Sequence, residues 1–520
     1  MSETPQAPRF AARSASFIGL MLLAGRVLER LGAFGQILLI AAFLGSTTRA
    51  DLYFIASIVP LTLGNVVGEA LAAAVLPRAA RDGEEGASRI FSAGLWIAAV
   101  TLTGLTLLYL VAVAIFVPRT MPAGTASLLP WLAYAPLGVF FGLGSYCAAP
   151  LLHYERYAWP ALRGATATIV GFGLSALVLA LGGGVVWIGL AISTGYGIAL
   201  LLLLAELASI GRAALLRPPR PSAVGDVLAL WRKLAASAAS GVIGGQVFVL
   251  IERILTAPLG VGAVASISYA RGVAYTPAIL GQSIAAGVYP SVLRAHAAGE
   301  RDFVRARFLS GLRLTLFVTA VSGAFLALFS SEIASVLFGR DEVTPESLHD
   351  VQRSLLAFSL ALLGWMLTIY GSRLFGALDV FRGLILQEIV ALAVYLAIVF
   401  PLREGFDVPG VALAFGIGQV AGGIFGMALV AVRLRVRSIG VLGGALAPAV
   451  VRSLPVVLAL VAVKLGLDAS AGTPDLVVAM LGALTAATMA FAALWRADWE
   501  ELDSVRGFLR ARRRPAAAPE

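Results

Sequence analysis

Residues 25–33 read GRVLERLGA, inside an apolar stretch that runs from about Phe17 to Leu44. Arg26, Glu29 and Arg30 stand at i, i+3 and i+4, so a helix places them on one face. Charge at membrane depth is costly, and such a face must look into protein or water rather than lipid. Arginine offers a planar fork of N–H donors suited to phosphate oxygens, and low-dielectric surroundings strengthen that attraction. The same logic singles out Asp51 and Glu69 on the next apolar stretch, then Glu252, Arg253 and Arg271. Asp51 and Glu69 are eighteen residues apart, five turns at 3.6 residues per turn, so they share a face unless Pro60 rotates it. Arg26 and Glu69 lie at matching depths from the inner ends of their stretches, and an Arg26–Glu69 pair is expected. The plainer alternative for these charges is a set of salt bridges that lock helices together; Asp51, near the outer boundary, could equally cap its helix.

These residues need elements that cross a membrane. The chain of 520 residues is 59% hydrophobic and 13% charged, with mean hydropathy +0.91, whereas soluble domains carry about 25% charged residues. Apolar runs of the roughly 20 residues that a spanning helix needs recur from end to end. The fold class is an all-α polytopic membrane protein. Hydropathy, charges and Pro/Gly breaks predict fourteen spans: 17–44, 51–76, 90–116, 128–150, 160–182, 185–210, 234–257, 261–290, 307–330, 350–377, 381–400, 408–432, 445–466 and 474–495. One set of loops holds most of the arginines, among them Arg78, Arg81, Arg156, Arg163, Arg212, Arg294, Arg301 and Arg433. The positive-inside rule makes that side cytoplasmic, with both termini on it, in a plasma (inner) membrane. The basic tail RGFLRARRRP (506–515) follows a span directly and reads as an anchor to anionic lipid rather than a nucleic-acid site.

An internal repeat organises the spans. EALAAAVLPRAARDGEEG (69–86) closes the second span and IAAGVYPSVLRAHAAGERD (284–302) closes the eighth, each with a proline and a basic, Ala-rich exit. Upstream, DLYFIASIVP (51–60) has its counterpart in ISYARGVAYTP (267–277). Copies six spans apart share one orientation, the parallel-repeat plan of two-lobed transporters. The expected organisation is an N-lobe (1–210), a cytoplasmic linker (211–233), a C-lobe (234–432), two further spans (433–496) and the basic tail (497–520). GNVVG (64–68) and GQVAG (418–422) are expected to permit close helix packing. GVGAVA (260–265) lacks the βαβ context of a dinucleotide site.

The chain shows no H-E-x-x-H, no G-x-S-x-G and no Walker loop, and its three histidines fall on differing sides of the membrane. The single cysteine, Cys147, permits no intramolecular disulfide. The expectation is therefore a non-enzymatic protein with no cofactor and no metal, drawing on membrane potential, a monovalent cation gradient or a partner.

Five segments carry a resemblance. GRVLERLGA (25–33), ADLYFIASIVPLTLGNVVGEALAAAVLP (50–77), YARGVAYTP (269–277), FGRDEVTPESL (338–348) and SRLFGALDVFRGLI (372–385) occur in order over most of the chain. Together they resemble the MurJ (MviN, mouse virulence factor) family of lipid II flippases, in the superfamily shared with drug/toxin and oligosaccharide exporters. The resemblance implies fourteen spans, two six-helix lobes around a central cavity and two extra C-terminal helices. It implies charged cavity residues at Arg26, Asp51, Glu69 and Arg271. The family's second first-span arginine falls at Gly32, with Arg30 as the candidate substitute, and its basic pair after the second-span proline falls at Gly64 and Asn65. Members can bind sodium between the seventh, eleventh and twelfth spans; Glu252 matches the acidic position on the seventh. The eleventh offers only Gln387 and Glu388, so no sodium site is expected.

The function so implied is the flipping of lipid II, a polyprenyl-diphosphate-linked cell-wall precursor, by alternating access. Arg26 and Arg271, with Arg30, would hold the diphosphate from the two lobes. Glu69 would pair with Arg26 in the empty state, and Asp51 would gate the outer mouth or take part in ion coupling. Expected partners are the lipid-linked sugar diphosphate, the bilayer and cell-wall synthesis proteins, with no nucleic acid. The alternatives are export of another lipid-linked oligosaccharide and a transport-inactive membrane scaffold. A small-cation exporter fits poorly with an arginine-rich cavity.

Overall fold

The structure, a computed structural model, describes residues 9–79, 83–120, 127–210, 215, 218–219, 221–229, 247–378, 380–436, 439–469 and 474–496. The basic tail, much of the 211–233 linker and the start of the seventh span lie outside those residues. Among the described residues every regular element is a helix. The first six are α1 (Arg9–Leu44), α2 (Thr48–Ala79), α3 (Gly83–Thr120), α4 (Leu129–His153), α5 (Ala158–Ala180) and α6 (Val185–Ser209). Then come α7 (221–229), α8 (Phe248–Thr256), α9 (Ala263–Ala274), α10 (Ala278–Ala297), α11 (Arg301–Leu328) and α12 (Ser330–Phe338). The last are α13 (Pro345–Ala377), α14 (Phe381–Arg433), α15 (Ile439–Ala469) and α16 (Asp475–Arg496).

Eleven of these helices are long and apolar enough to cross a membrane. The difference from fourteen has a local cause at each place. α14 carries both the 381–400 and the 408–432 spans, with a kink at Asp407, whose φ of 53° and ψ of −130° are not helical. Only the end of the seventh span, α8, is described. The eighth span is broken into α9 and α10 around Pro277, which has no amide hydrogen and crowds the carbonyl four residues back. The chain tightens there into i−3 bonds, from Thr276 N–H to the Val273 carbonyl (3.1 Å) and from Ala278 N–H to that of Tyr275 (3.1 Å). Its repeat counterpart α2 runs through Pro60 without a break.

Contacts divide the chain into two units, 1–254 and 255–520. The division falls inside α8, because Arg253 donates to the Phe54 carbonyl on α2 and stacks over the Phe54 ring at 5.6 Å. Glycines make the close seams within each unit. In the first, a Cβ on Gly64 would lie 2.6 Å from the Gly138 carbonyl oxygen, and one on Gly68 would collide with that of Gly142, so α2 and α4 meet backbone to backbone. In the same way Gly25 and Gly32 of α1 press on Ala161 and Thr168 of α5. In the second unit Gly418 and Gly422 close against Ala391 across the two arms of α14. Both glycine pairs read from the sequence are thus packing contacts. GVGAVA is a turn, with Gly260 at φ 142° and Gly262 at φ 84°, that leads into α9. The TPES of the fourth family-like segment caps a helix: the Thr344 hydroxyl accepts the Ser347 amide at 3.2 Å, and Pro345 opens α13.

In the second unit Lys464 of α15 bonds the Glu332 carboxylate of α12 and that of Asp468 (2.9 Å). Glu332 is buried, so removing its cation strands a charge. Lys464→Met is expected to destabilise by about 3 kcal/mol, seen as faster loss of monodisperse protein on heating in detergent. Adding Glu332→Gln should recover most of that loss; no recovery would mean the pair is not the cause.

Candidate functional site

The first unit gathers four charges from three helices around one cavity of about 310 Å³. The seam of α1 with α5 decides how they point. Glu29 stands between Gly25 and Gly32, and its carboxyl group lies where a side chain on Gly164 of α5 would be. From there it pairs with Arg26, one turn back, Nη1 to Oε2 at 3.3 Å. Across the cavity Glu69 of α2 pairs with Arg163 of α5, Oε1 to Nη2 at 3.8 Å. The Arg163 side chain is 13% exposed and lies over the Phe141 ring at 5.9 Å. Arg26, by contrast, keeps 64% of its side chain open and Glu69 53%. Ser145 of α4 completes the wall with a buried hydroxyl that has no hydrogen-bond partner. Two positive and two negative charges cancel within this space.

The arrangement corrects the expected Arg26–Glu69 pair. Both residues line the cavity, as their matched depths required, but each has another partner. Depth along a helix fixes height and leaves open which neighbour a side chain meets: Arg26 pairs with Glu29 three residues on along its own helix, and Glu69 meets Arg163 of α5. Arg163 is the residue that charge sorting misplaced among the loop arginines. It lies inside α5, past Pro160 in the first turn. The signal was present, since 163 falls within the span limits of 160–182.

The second unit holds Arg271, on α9 just before the break. Its guanidinium is surrounded by three rings, Phe415 at 4.3 Å, Phe358 at 5.0 Å and Trp365 at 5.6 Å. Phe358 and Trp365 are seven residues apart on α13, so they share a face, and Phe415 comes from α14. Rings surround the cation, and the hydrogen-bond donors of a guanidinium lie in its plane. The other expected residues are scattered. Arg30 is exposed on α1. Asp51 is buried in the first turn of α2, where the helix dipole favours a carboxylate. Glu252 is buried on α8, and Arg253 is engaged with Phe54.

Apolar helices that keep paired arginines and glutamates among them define an all-α polytopic membrane protein, and solved structures share its fold. Over 94% of its length the chain superposes on a lipid II flippase MurJ in an inward closed conformation, covering 100% of that chain with a TM-score of 0.74 at 16% identity. Over 78% of its length it superposes on an inward-facing multidrug resistance MATE family transporter of the MOP superfamily, covering 95% of that chain with a TM-score of 0.62 at 16% identity. Likeness at such identity is likeness of fold. The family model for lipid II flippase MurJ matches residues 40–481, and the chain belongs to that family. The lipid II flippase MurJ of Burkholderia cenocepacia is 27% identical over 180 residues, 33% of this chain and 34% of that protein. The probable lipid II flippase MurJ of Vibrio cholerae is 28% identical over 137 residues, 26% of each. The chain thus aligns with about a third or less of the length of these two relatives.

Proposed function

We propose that this protein carries lipid II, or a closely similar polyprenyl-diphosphate-linked sugar, from the inner to the outer leaflet of the plasma membrane by alternating access. The observation that carries the reading is the placing of arginines among apolar helices: Arg26 and Arg163 around a cavity in the first unit, Arg271 in its aromatic box in the second. A diphosphate headgroup does not cross hydrocarbon unaided, and planar N–H forks in a low-dielectric setting suit its oxygens. Family membership over residues 40–481 supports the same cargo. No covalent step belongs to this reading. The headgroup would be loaded from the cytoplasmic side, which also holds both termini, and cell-wall synthesis enzymes would supply and consume the cargo. Asp51 is assigned to the outer mouth. Membrane potential or a monovalent cation would drive the cycle.

A second reading, export of another lipid-linked oligosaccharide, is favoured by one observation: Gly32, Gly64 and Asn65 stand where the family's basic residues fall. The deciding experiment is complementation of a bacterium depleted of its own lipid II flippase, with membrane levels of each variant checked. Rescue by the wild type, lost in Arg26→Ala, supports lipid II as cargo. A well-expressed wild type that gives no rescue removes lipid II and leaves the second reading.

A further inference from the structure

We propose that Arg163 and Ser145 form the diphosphate-binding wall of the first unit's cavity, and that Glu69 is the carboxylate which the diphosphate displaces from Arg163. This rests on the reading that the cargo is a lipid-linked diphosphate. Four features of the cavity carry it.

The space suits the ligand. At about 310 Å³ it equals some ten water molecules at the ~30 Å³ each takes in the liquid, enough for a diphosphate with its oxygens partly hydrated. The Arg163–Glu69 contact is loose. At 3.8 Å it exceeds the roughly 2.7–2.9 Å of a well-made charged hydrogen bond, so the N–H donors of Arg163 are underused. The two partners differ in freedom. Arg163 is 13% exposed and held over Phe141, whereas Glu69 is 53% exposed and can turn toward water at little cost. Finally, Ser145 lines the cavity, and its hydroxyl is buried and unpartnered. A buried donor without an acceptor is a standing cost that a phosphate oxygen would remove.

Charge balance describes the exchange. Empty, the cavity holds Arg26 with Glu29 and Arg163 with Glu69, and the four charges cancel. A diphosphate brings the anionic oxygens that Glu69 provided, at shorter range and in greater number. The displaced carboxylate gains hydration outside. Phe141 links this site to a gap in the family pattern, since its ring lies under Arg163 and also against Gly64. An arginine on α5 gives this unit the second guanidinium that Gly32, Gly64 and Asn65 do not provide.

The test uses the full-length protein in detergent, titrated calorimetrically with farnesyl diphosphate, farnesyl monophosphate and inorganic pyrophosphate. Arg163→Gln is expected to weaken farnesyl diphosphate binding at least tenfold and Ser145→Ala about threefold. Glu69→Gln should tighten it several-fold, because the competing anion is gone. The sign of that last effect separates the proposal from a purely structural pair, whose loss would weaken binding or leave it unchanged. Should Arg163→Gln fail to fold, the double variant Arg163→Gln/Glu69→Gln removes both charges together, and it must still bind weakly. Pyrophosphate binding as tightly as farnesyl diphosphate would show that the headgroup oxygens suffice, and equal affinity for the monophosphate would overturn the diphosphate assignment. Wild-type affinity in Arg163→Gln, or no binding by the wild type, also overturns it. Growth rescue is read independently, so rescue without this binding defeats the site and spares the flippase reading.

Discussion

On the proposed flippase reading, replacing Arg271 with lysine is expected to lower outward lipid II transport about a hundredfold, although the charge is kept. Measured as lipid II reached by a probe added outside the cell, the loss should nearly match that of Arg271→Ala. Three rings within 4.3–5.6 Å surround the guanidinium. A desolvated cation–π contact contributes about 2 kcal/mol. An ammonium keeps the attraction to the rings but has no plane to orient, and it cannot present two parallel donors to a phosphate. Phe415→Leu removes the nearest ring and keeps the apolar volume. Its expected cost of about 1 kcal/mol corresponds to roughly a fivefold slower rate. Lysine working at the wild-type rate would show that Arg271 acts as a charge alone.

The second large effect runs against the family pattern. Restoring a basic residue with Gly64→Arg should give no folded protein, instead of a more active one. A Cβ there already meets the Gly138 carbonyl oxygen at 2.6 Å and the Phe141 ring at 2.9 Å, before any guanidinium is placed. α2 and α4 would have to part along the whole seam, and Gly68 on Gly142 allows no compensating slide. Gly68→Ala alone should destabilise by about 3 kcal/mol, the upper end of ordinary overpacking. The measure is the amount of monodisperse protein recovered from membranes, beside Gly104→Ala, where a Cβ meets nothing within 4 Å. Folded Gly64→Arg with improved growth rescue would place that face of α2 in the cavity and refute the packing role.

Much of the fold could be read from the sequence because a bilayer leaves the backbone few choices. The fourth to sixth spans, expected at 128–150, 160–182 and 185–210, are the helices Leu129–His153, Ala158–Ala180 and Val185–Ser209. The break at Pro277 was not legible, since Pro60 stands in the matching segment and α2 continues through it. For the site, residue types and depths were legible and partners were not. Hydropathy gives height in the membrane; rotation about each axis is set by which glycines face which neighbour. Arg26 pairs with Glu29 along its own helix, and the packing of α2 on its neighbours gives Glu69 to Arg163. The aromatic box gave no signal, because Phe415 reaches Arg271 across a long stretch of chain and aromatic residues are common in any apolar helix.

The backbone-to-backbone seams carry a consequence for how such a protein can change over time. Where leucines interdigitate, each substitution shifts its neighbours and the spacing of helices drifts with the sequence. At Gly64–Gly138 and Gly25–Ala161 the spacing is set by main-chain atoms, which mutation does not alter. The exposed Leu107, Leu108 and Val111 of α3 meet no neighbouring helix closely and can exchange among aliphatics freely. Tolerance and constraint are thereby divided between the two sides of a helix. A chain built this way can replace five residues in six and still superpose on a relative, as the 16% identity at a TM-score of 0.74 records.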